Sequence, residues 1–193
     1  MNNMSYKYII IGGSAGSFQT VTNILASLPQ DFSMPVFLCL HRLKHVRTGF
    51  IEALSIKSNL KVIEPNDKEY VRQHKVYLAP ANYHMYFELG NYISLSTEPA
   101  VNHSRPSIDI SFASAAYTFK SKVIGIILSG ANKDGAFGLS QIKENGGLTI
   151  VQDPEECQVK TMTTAAIQAT NVDHVLKSAE IIDLLLKFQG KRF

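Results

Sequence analysis

Apolar residues cluster in three unbroken runs, at Ile9 to Ile11, Val36 to Leu40 and Val123 to Leu128, without the polar alternation of a half-exposed strand. Such runs suit strands buried on both faces, and therefore the middle of a parallel sheet. After the first run, Phe18, Val21, Leu25 and Leu28 recur at helical spacing and predict a helix over Phe18 to Ser27. The second run is followed by an amphipathic segment from Thr48 to Lys57 and a short third strand from Leu60 to Ile63. Strand, helix, strand, helix, strand predicts a parallel sheet with right-handed crossovers. The pattern changes after the polar stretch Glu64 to Lys75. Short strands are predicted at Lys75 to Ala79, Met85 to Leu89 and Tyr92 to Ser96, the last two joined by Gly90-Asn91, a two-residue hairpin signal. Ser107 then caps a helix running to about Phe119. Beyond the Val123 strand come a helix from Ala136 to Glu144, a strand from Leu148 to Gln152, and helices near Thr163 to Ala169 and Ser178 to Phe188. The predicted fold class is α/β: a doubly wound, mostly parallel sheet with helices on both faces and an inserted antiparallel β-hairpin. It is expected to form a single domain over 1–193, with functional groups where strands end at their carboxyl edge.

Composition narrows the field. The 193 residues are 45% apolar and 18% charged, ordinary values for a globular domain. No apolar run approaches the ~20 residues of a membrane span, and the polar Met1 to Ser5 does not resemble a signal peptide. Membrane insertion is not expected, and cytoplasm is the predicted compartment. A net charge of +3, without blocks of like charge, gives no argument for nucleic acid. Cys39 and Cys157 fit neither a Cys-x-x-Cys pair nor a zinc spacing, so both are expected to be incidental thiols.

The candidate chemistry sits at strand ends: Ser14 after the first, His41 after the second, Asp134 after the Val123 strand. A serine hydroxyl becomes an effective nucleophile when an imidazole takes its proton, and a carboxylate orients that imidazole. Gly12-Gly13-Ser14-Ala15-Gly16 fits the Gly-x-Ser-x-Gly elbow, although the chain order Ser, His, Asp differs from the Ser, Asp, His of ordinary α/β-hydrolases. Alternatives stay open for each residue taken singly: Ser14 as turn or anion-binding residue, His41 as a structural histidine, Asp134 as a turn or helix cap. A dinucleotide site fits poorly, because the fingerprint glycines are serines at 14 and 17 and the second strand ends in His41 rather than an acid.

With these residues in place, the chain resembles the catalytic domain of the chemotaxis protein-glutamate methylesterase family, CheB, over nearly its whole length. Ile11-Gly12-Gly13-Ser14-Ala15-Gly16-Ser17 matches that family's serine motif, and Leu40-His41-Arg42-Leu43 loosely matches its histidine motif. Ser129-Gly130-Ala131-Asn132-Lys133-Asp134-Gly135 matches its aspartate loop. Val76 to Pro80 with His84-Met85, Arg105-Pro106-Ser107-Ile108-Asp109, and Gly146-Gly147 to Asp153 are supporting matches. The resemblance implies Ser14 as nucleophile, His41 as general base and acid, and Asp134 as its partner. Ala15 and Ala131 are expected near the oxyanion, with Arg42, His84 and Met85 lining or bracing the site. It implies hydrolysis of glutamyl γ-methyl esters on methylated chemoreceptors or another carboxymethylated protein, with glutamine deamidation as a related activity and no cofactor or metal. Ala15, Ser17, Arg42, Leu43 and Ala131 depart from the family pattern beside the site, so the alternative is a CheB-like protein-binding module with weak or no catalysis. The family's usual receiver domain has no counterpart in this chain. A constitutive enzyme, a separate regulatory protein and a fragment of a longer chain are the expectations that follow.

Overall fold

The computed structural model describes residues 6–41 and 49–189. In chain order the elements are β1 (Tyr8–Gly13), α1 (Phe18–Ser27), β2 (Val36–Leu40), α2 (Phe50–Lys57), β3 (Lys61–Ile63), β4 (Glu69–Tyr70), β5 (Lys75–Leu78), β6 (His84–Glu88) and β7 (Tyr92–Ser96). They continue with α3 (Ile108–Phe119), β8 (Val123–Ile127), α4 (Ala136–Glu144), β9 (Leu148–Gln152), α5 (Thr161–Ala169), β10 (His174–Leu176) and α6 (Ser178–Gln189). A seven-stranded sheet has the order β10-β9-β8-β1-β2-β5-β3, and all its pairings are parallel. No helix among the described residues is long and apolar enough to cross a membrane.

The unalternating runs become central strands because each side of the sheet has its own core. Ile9 and Ile11 face a cluster built with Val21, Leu25, Leu54, Ile181 and Leu185, on the side of α1, α2 and α6. Ile10 faces the opposite cluster, with Ile108, Phe112, Leu139 and Met162 from α3, α4 and α5. Alternate side chains of one strand thus feed two cores, and both must be apolar.

Two sequence expectations are corrected. The strand expected to open the antiparallel excursion, β5, lies in the main sheet, paired in parallel with β2 and β3. Its Val76, Tyr77 and Leu78 are all buried, the two-sided pattern of an interior strand. The hairpin itself pairs Glu88 with Tyr92, so its loop is the three residues Leu89 to Asn91, with Gly90 and Asn91 at positive φ. It is completed as a three-stranded sheet by β4, two residues inside a segment too polar to register as a strand.

The strand at the centre of the sheet organises the carboxyl edge. From β1 the chain moves outward through β2 on one side and later returns through β8 on the other, which makes the end of β1 the topological switch point where α/β folds place their sites. Over that edge α3 and α4 pack closely. A Cβ at Gly138 would lie 2.5 Å from Phe112 Cβ and 2.9 Å from the Asp109 carbonyl oxygen.

Gly138→Ala therefore sets two effects against each other. In a free helix the change would gain about 1 kcal/mol of propensity. Here the added methyl meets backbone that cannot turn aside, so the expected outcome is a net loss of about 1–3 kcal/mol in urea unfolding. A gain in stability would contradict the close α3–α4 packing.

Candidate active site

Ser14 follows β1 directly, in a turn fixed by backbone rather than by its own side chain. Its N–H donates to the Ser129 carbonyl at 2.9 Å, and its carbonyl accepts from Ser17 N–H at 3.1 Å and Ser17 Oγ at 2.8 Å. Gly16 stands at φ +80°, and a Cβ there would fall 2.7 Å from Gln158 Cβ, so both conformation and space require glycine. Ser129 Oγ, buried, lies 2.8 Å from the Ala15 carbonyl and 3.0 Å from that of Val159, and accepts the Val159 N–H at 3.1 Å. One hydroxyl thus ties the elbow to the segment leading into α5.

His41 ends β2. Its N–H donates to the Gly13 carbonyl at 3.1 Å, continuing the β1–β2 ladder one step past the Gly13–Leu40 pair and setting His41 beside Ser14. Its Nε2 lies 2.7 Å from Asp134 Oδ2, with the imidazole 14% exposed and the carboxylate fully buried. Ser14 Oγ and His41 form no hydrogen bond in this structure.

Asp134 is held from all sides. Oδ2 also accepts Ile108 N–H at 2.7 Å, while Oδ1 accepts Ser107 Oγ at 2.9 Å, Asp109 N–H at 3.0 Å and Asn102 Nδ2 at 3.3 Å. The carboxylate sits on the N-terminus of α3, where the first-turn N–H groups have no helical partner and the helix dipole favours negative charge. Burial alone would raise its pKa, but the hydrogen bonds from His41, Ile108 and Asp109 outweigh it and hold the group below the ordinary carboxylate value. Asp134 is therefore an anion at neutral pH and accepts only, so Nε2 of His41 is the donor, and the lone pair of a neutral ring is on Nδ1.

Among the other residues singled out in the sequence, Ala15 and Ala131 are exposed beside the elbow and on the loop after β8, and their N–H groups find no acceptor among the described residues. His84 is buried. Its Nδ1 accepts Ser107 N–H at 3.2 Å and its Nε2 donates to the Pro99 carbonyl at 3.1 Å, so it braces the cap of α3. Met85 lies in the core beside Phe37 and Phe87, with its carbonyl accepting Ser111 Oγ at 2.8 Å. Arg42, Leu43 and the rest of the basic stretch to Arg47 lie outside the described residues. Both cysteines are free; Cys39 is buried, and burial pushes its thiol pKa far up. No group of three or more potential metal ligands occurs among the described residues. A cavity of about 870 Å³ lined by Tyr6, Tyr8, Tyr70 and Arg72 lies at the opposite, amino edge of the sheet. Sequence reasoning missed Asn102 altogether; Ser129, Ser107 and Asp109 stood in motifs that support the resemblance, but without a role in the site.

Comparison with known proteins shows the family and the fold. A family model described as CheB methylesterase matches residues 9–185. A Leptospira interrogans protein with a provisional protein-glutamate methylesterase/protein-glutamine glutaminase name is 41% identical over 184 residues, covering 95% of this chain and 95% of its own length. The Clostridium acetobutylicum protein-glutamate methylesterase/protein-glutamine glutaminase is 33% identical over 183 residues, and the chain spans 53% of it. The crystal structure of the Thermotoga maritima CheB methylesterase catalytic domain superposes with a TM-score of 0.89 at 31% identity, covering 95% of this chain and 98% of that one.

The lowered pKa of Asp134 sets a pH dependence. A carboxylate whose folded value is depressed contributes stability that is complete above its unfolded value, near about 3.9, and is lost as pH falls through the folded value. Asp134→Asn forfeits this contribution and unbalances the Ile108, Asp109 and His41 donors, at an expected cost of about 3 kcal/mol at neutral pH. Urea unfolding at several pH values should show the difference between wild type and variant shrinking below about pH 4. A difference independent of pH would contradict the assigned charge state.

Proposed function

Because the chain belongs to the CheB methylesterase family, we propose that it is a serine hydrolase acting on glutamyl γ-methyl esters of a chemoreceptor or another carboxymethylated signalling protein. The observation that carries this reading is the direct His41–Asp134 contact at the carboxyl edge, immediately beside Ser14. Rotation of the Ser14 hydroxyl toward His41 Nδ1 forms the missing hydrogen bond when substrate is bound, a tightening usual for such sites.

The steps follow from the geometry. Ser14 Oγ attacks the ester carbonyl while His41 Nδ1 takes its proton, and the imidazolium so formed is stabilised by Asp134 across the Nε2–Oδ2 contact. The Ala15 and Ala131 N–H groups, free of protein acceptors among the described residues, receive the oxyanion; each such donor is typically worth about 3–4 kcal/mol. Collapse breaks the bond to the methoxy oxygen, which takes the proton from His41 and leaves as methanol. Water then gives a proton to His41 and its oxygen to the acyl carbon, and the products are a glutamate carboxylate, one released proton and free Ser14. Replacement of methoxide by ammonia as leaving group gives glutamine deamidation by the same steps. No metal or organic cofactor takes part.

The exposed rim of the site supports a protein side chain as substrate. Ala15 and Ala131 are exposed, and Phe18 and Phe137, at the starts of α1 and α4 along the same edge, are 38% and 58% exposed. An open rim with apolar contacts suits a residue presented on a partner's surface.

Ser14→Ala should lower methanol release from a methylated receptor by about 10,000-fold. Its melting temperature should stay at the wild-type value, since the Ser14 hydroxyl bonds to nothing that would be orphaned. An unchanged rate would refute the serine mechanism, and a wild-type rate at background would favour a binding module without catalysis.

A further inference from the structure

Asp109 meets Asp134 in a way that helix capping alone does not require. Each carboxylate caps the helix that the other begins. Asp134, one residue before the αL Gly135 that starts α4, accepts the Ile108 and Asp109 N–H groups of α3. Asp109, in the first turn of α3, accepts the Gly135 N–H at 2.8 Å and the Gly138 N–H at 2.9 Å, both on Oδ1. The Gly135 nitrogen belongs to the peptide bond of Asp134 itself. Residue 109 thus grips Asp134 twice, through its side-chain oxygen and through the peptide that follows it. Asn102, in a left-handed conformation at φ 50°, places one Nδ2 2.8 Å from Asp109 Oδ2 and 3.3 Å from Asp134 Oδ1, joining the two carboxylates.

We infer that Asp109 is a positioning residue for the triad: together with Asn102 it fixes the carboxylate of Asp134 so that Oδ2 faces His41 Nε2. This rests on the proposed serine mechanism and adds to it a group that touches neither substrate nor the reacting atoms. Oxygen by oxygen, Oδ1 of Asp134 is occupied by Ser107, Asp109 and Asn102, which leaves Oδ2 for His41 and Ile108. Freed of the grip on its following peptide, Asp134 could turn about its side-chain bonds and still cap α3, but not in register with the imidazole. Stability alone does not account for an acid here. Burial pushes the Asp109 pKa up and the Asp134 charge adds to the rise, while the Gly138 and Gly135 N–H groups and Asn102 offset it only in part, so a carboxyl here is disfavoured by its surroundings.

The test follows the rate at which a fluorophosphonate labels Ser14, which reads serine activation whatever the natural ester. Asp109→Ala should slow labelling by about tenfold or more, the usual size for an outer partner that orients a functional group. In an Asp134→Ala background the same substitution should change the residual rate by less than about twofold, because its effect passes through Asp134. Labelling of Asp109→Ala at the wild-type rate, or an equal loss in both backgrounds, would overturn the role. Should Asp109→Ala fail to fold, Asn102→Ala removes only the bridge and leaves both helix ends capped. It is expected to label about threefold more slowly at an unchanged melting temperature, and an unchanged rate would count against the inference. Methanol release is measured alongside. Wild-type protein that takes the label yet releases no methanol would refute the methyl ester as substrate and leave this role standing, whereas wild-type protein that takes no label would remove triad and role together.

Discussion

A buried carboxylate on a helix N-terminus is the contact on which this site depends. Alone, the Asp134 charge would be costly to bury, and so would the unpaired N–H groups of Ile108 and Asp109 at the start of α3. Brought together, each removes the other's cost, and the charge is stabilised enough to remain ionised below the ordinary range despite full burial. What remains of the anion's hydrogen-bonding capacity is directed at His41. The imidazole is oriented by an element whose own stability requires the carboxylate to be where it is.

The elbow around Ser14 shows the same economy of parts. Gly13 has no room for a Cβ, which would fall 2.7 Å from Ser17 Oγ, and that hydroxyl is the group that closes the turn onto the Ser14 carbonyl. Ser17 is thus built into the turn geometry. Ala15 has its carbonyl tied by Ser129 while its own N–H finds no acceptor among the described residues.

The chain announced the positions of its three chemical groups because each follows an apolar run long enough to be an unambiguous interior strand. Ser14, His41 and Asp134 were legible as strand-end polar residues, and parallel pairing necessarily gathers strand ends at one edge. What could not be read was lateral order. Nothing local to Val76-Tyr77-Leu78 says that it inserts between β2 and β3 rather than joining the hairpin, since parallel pairing is decided by which edge is free when the sheet assembles. Hydrogen-bond partners far apart in sequence were equally hidden. Sequence left His84 either lining or bracing the site, and only its two hydrogen bonds, to Ser107 and the Pro99 carbonyl, single out bracing. Asn102 carries no signal of its role, because a left-handed asparagine in a polar loop is an ordinary turn residue until the two carboxylates beside it are seen.

Strand order also explains why the sequence order Ser, His, Asp is no obstacle to a triad. His41 is on β2 and Asp134 follows β8, and these strands flank β1 on opposite sides. For Nε2 to reach Asp134, the imidazole must extend across the end of β1, where Ser14 emerges. The acid can stand on the far side because α3 brings its N-terminus over the same point, packed so closely that a Cβ at Gly12 would lie 2.5 Å from Ile108 Cγ2. With Nε2 bonded to the acid, Nδ1 is the ring nitrogen left to exchange a proton.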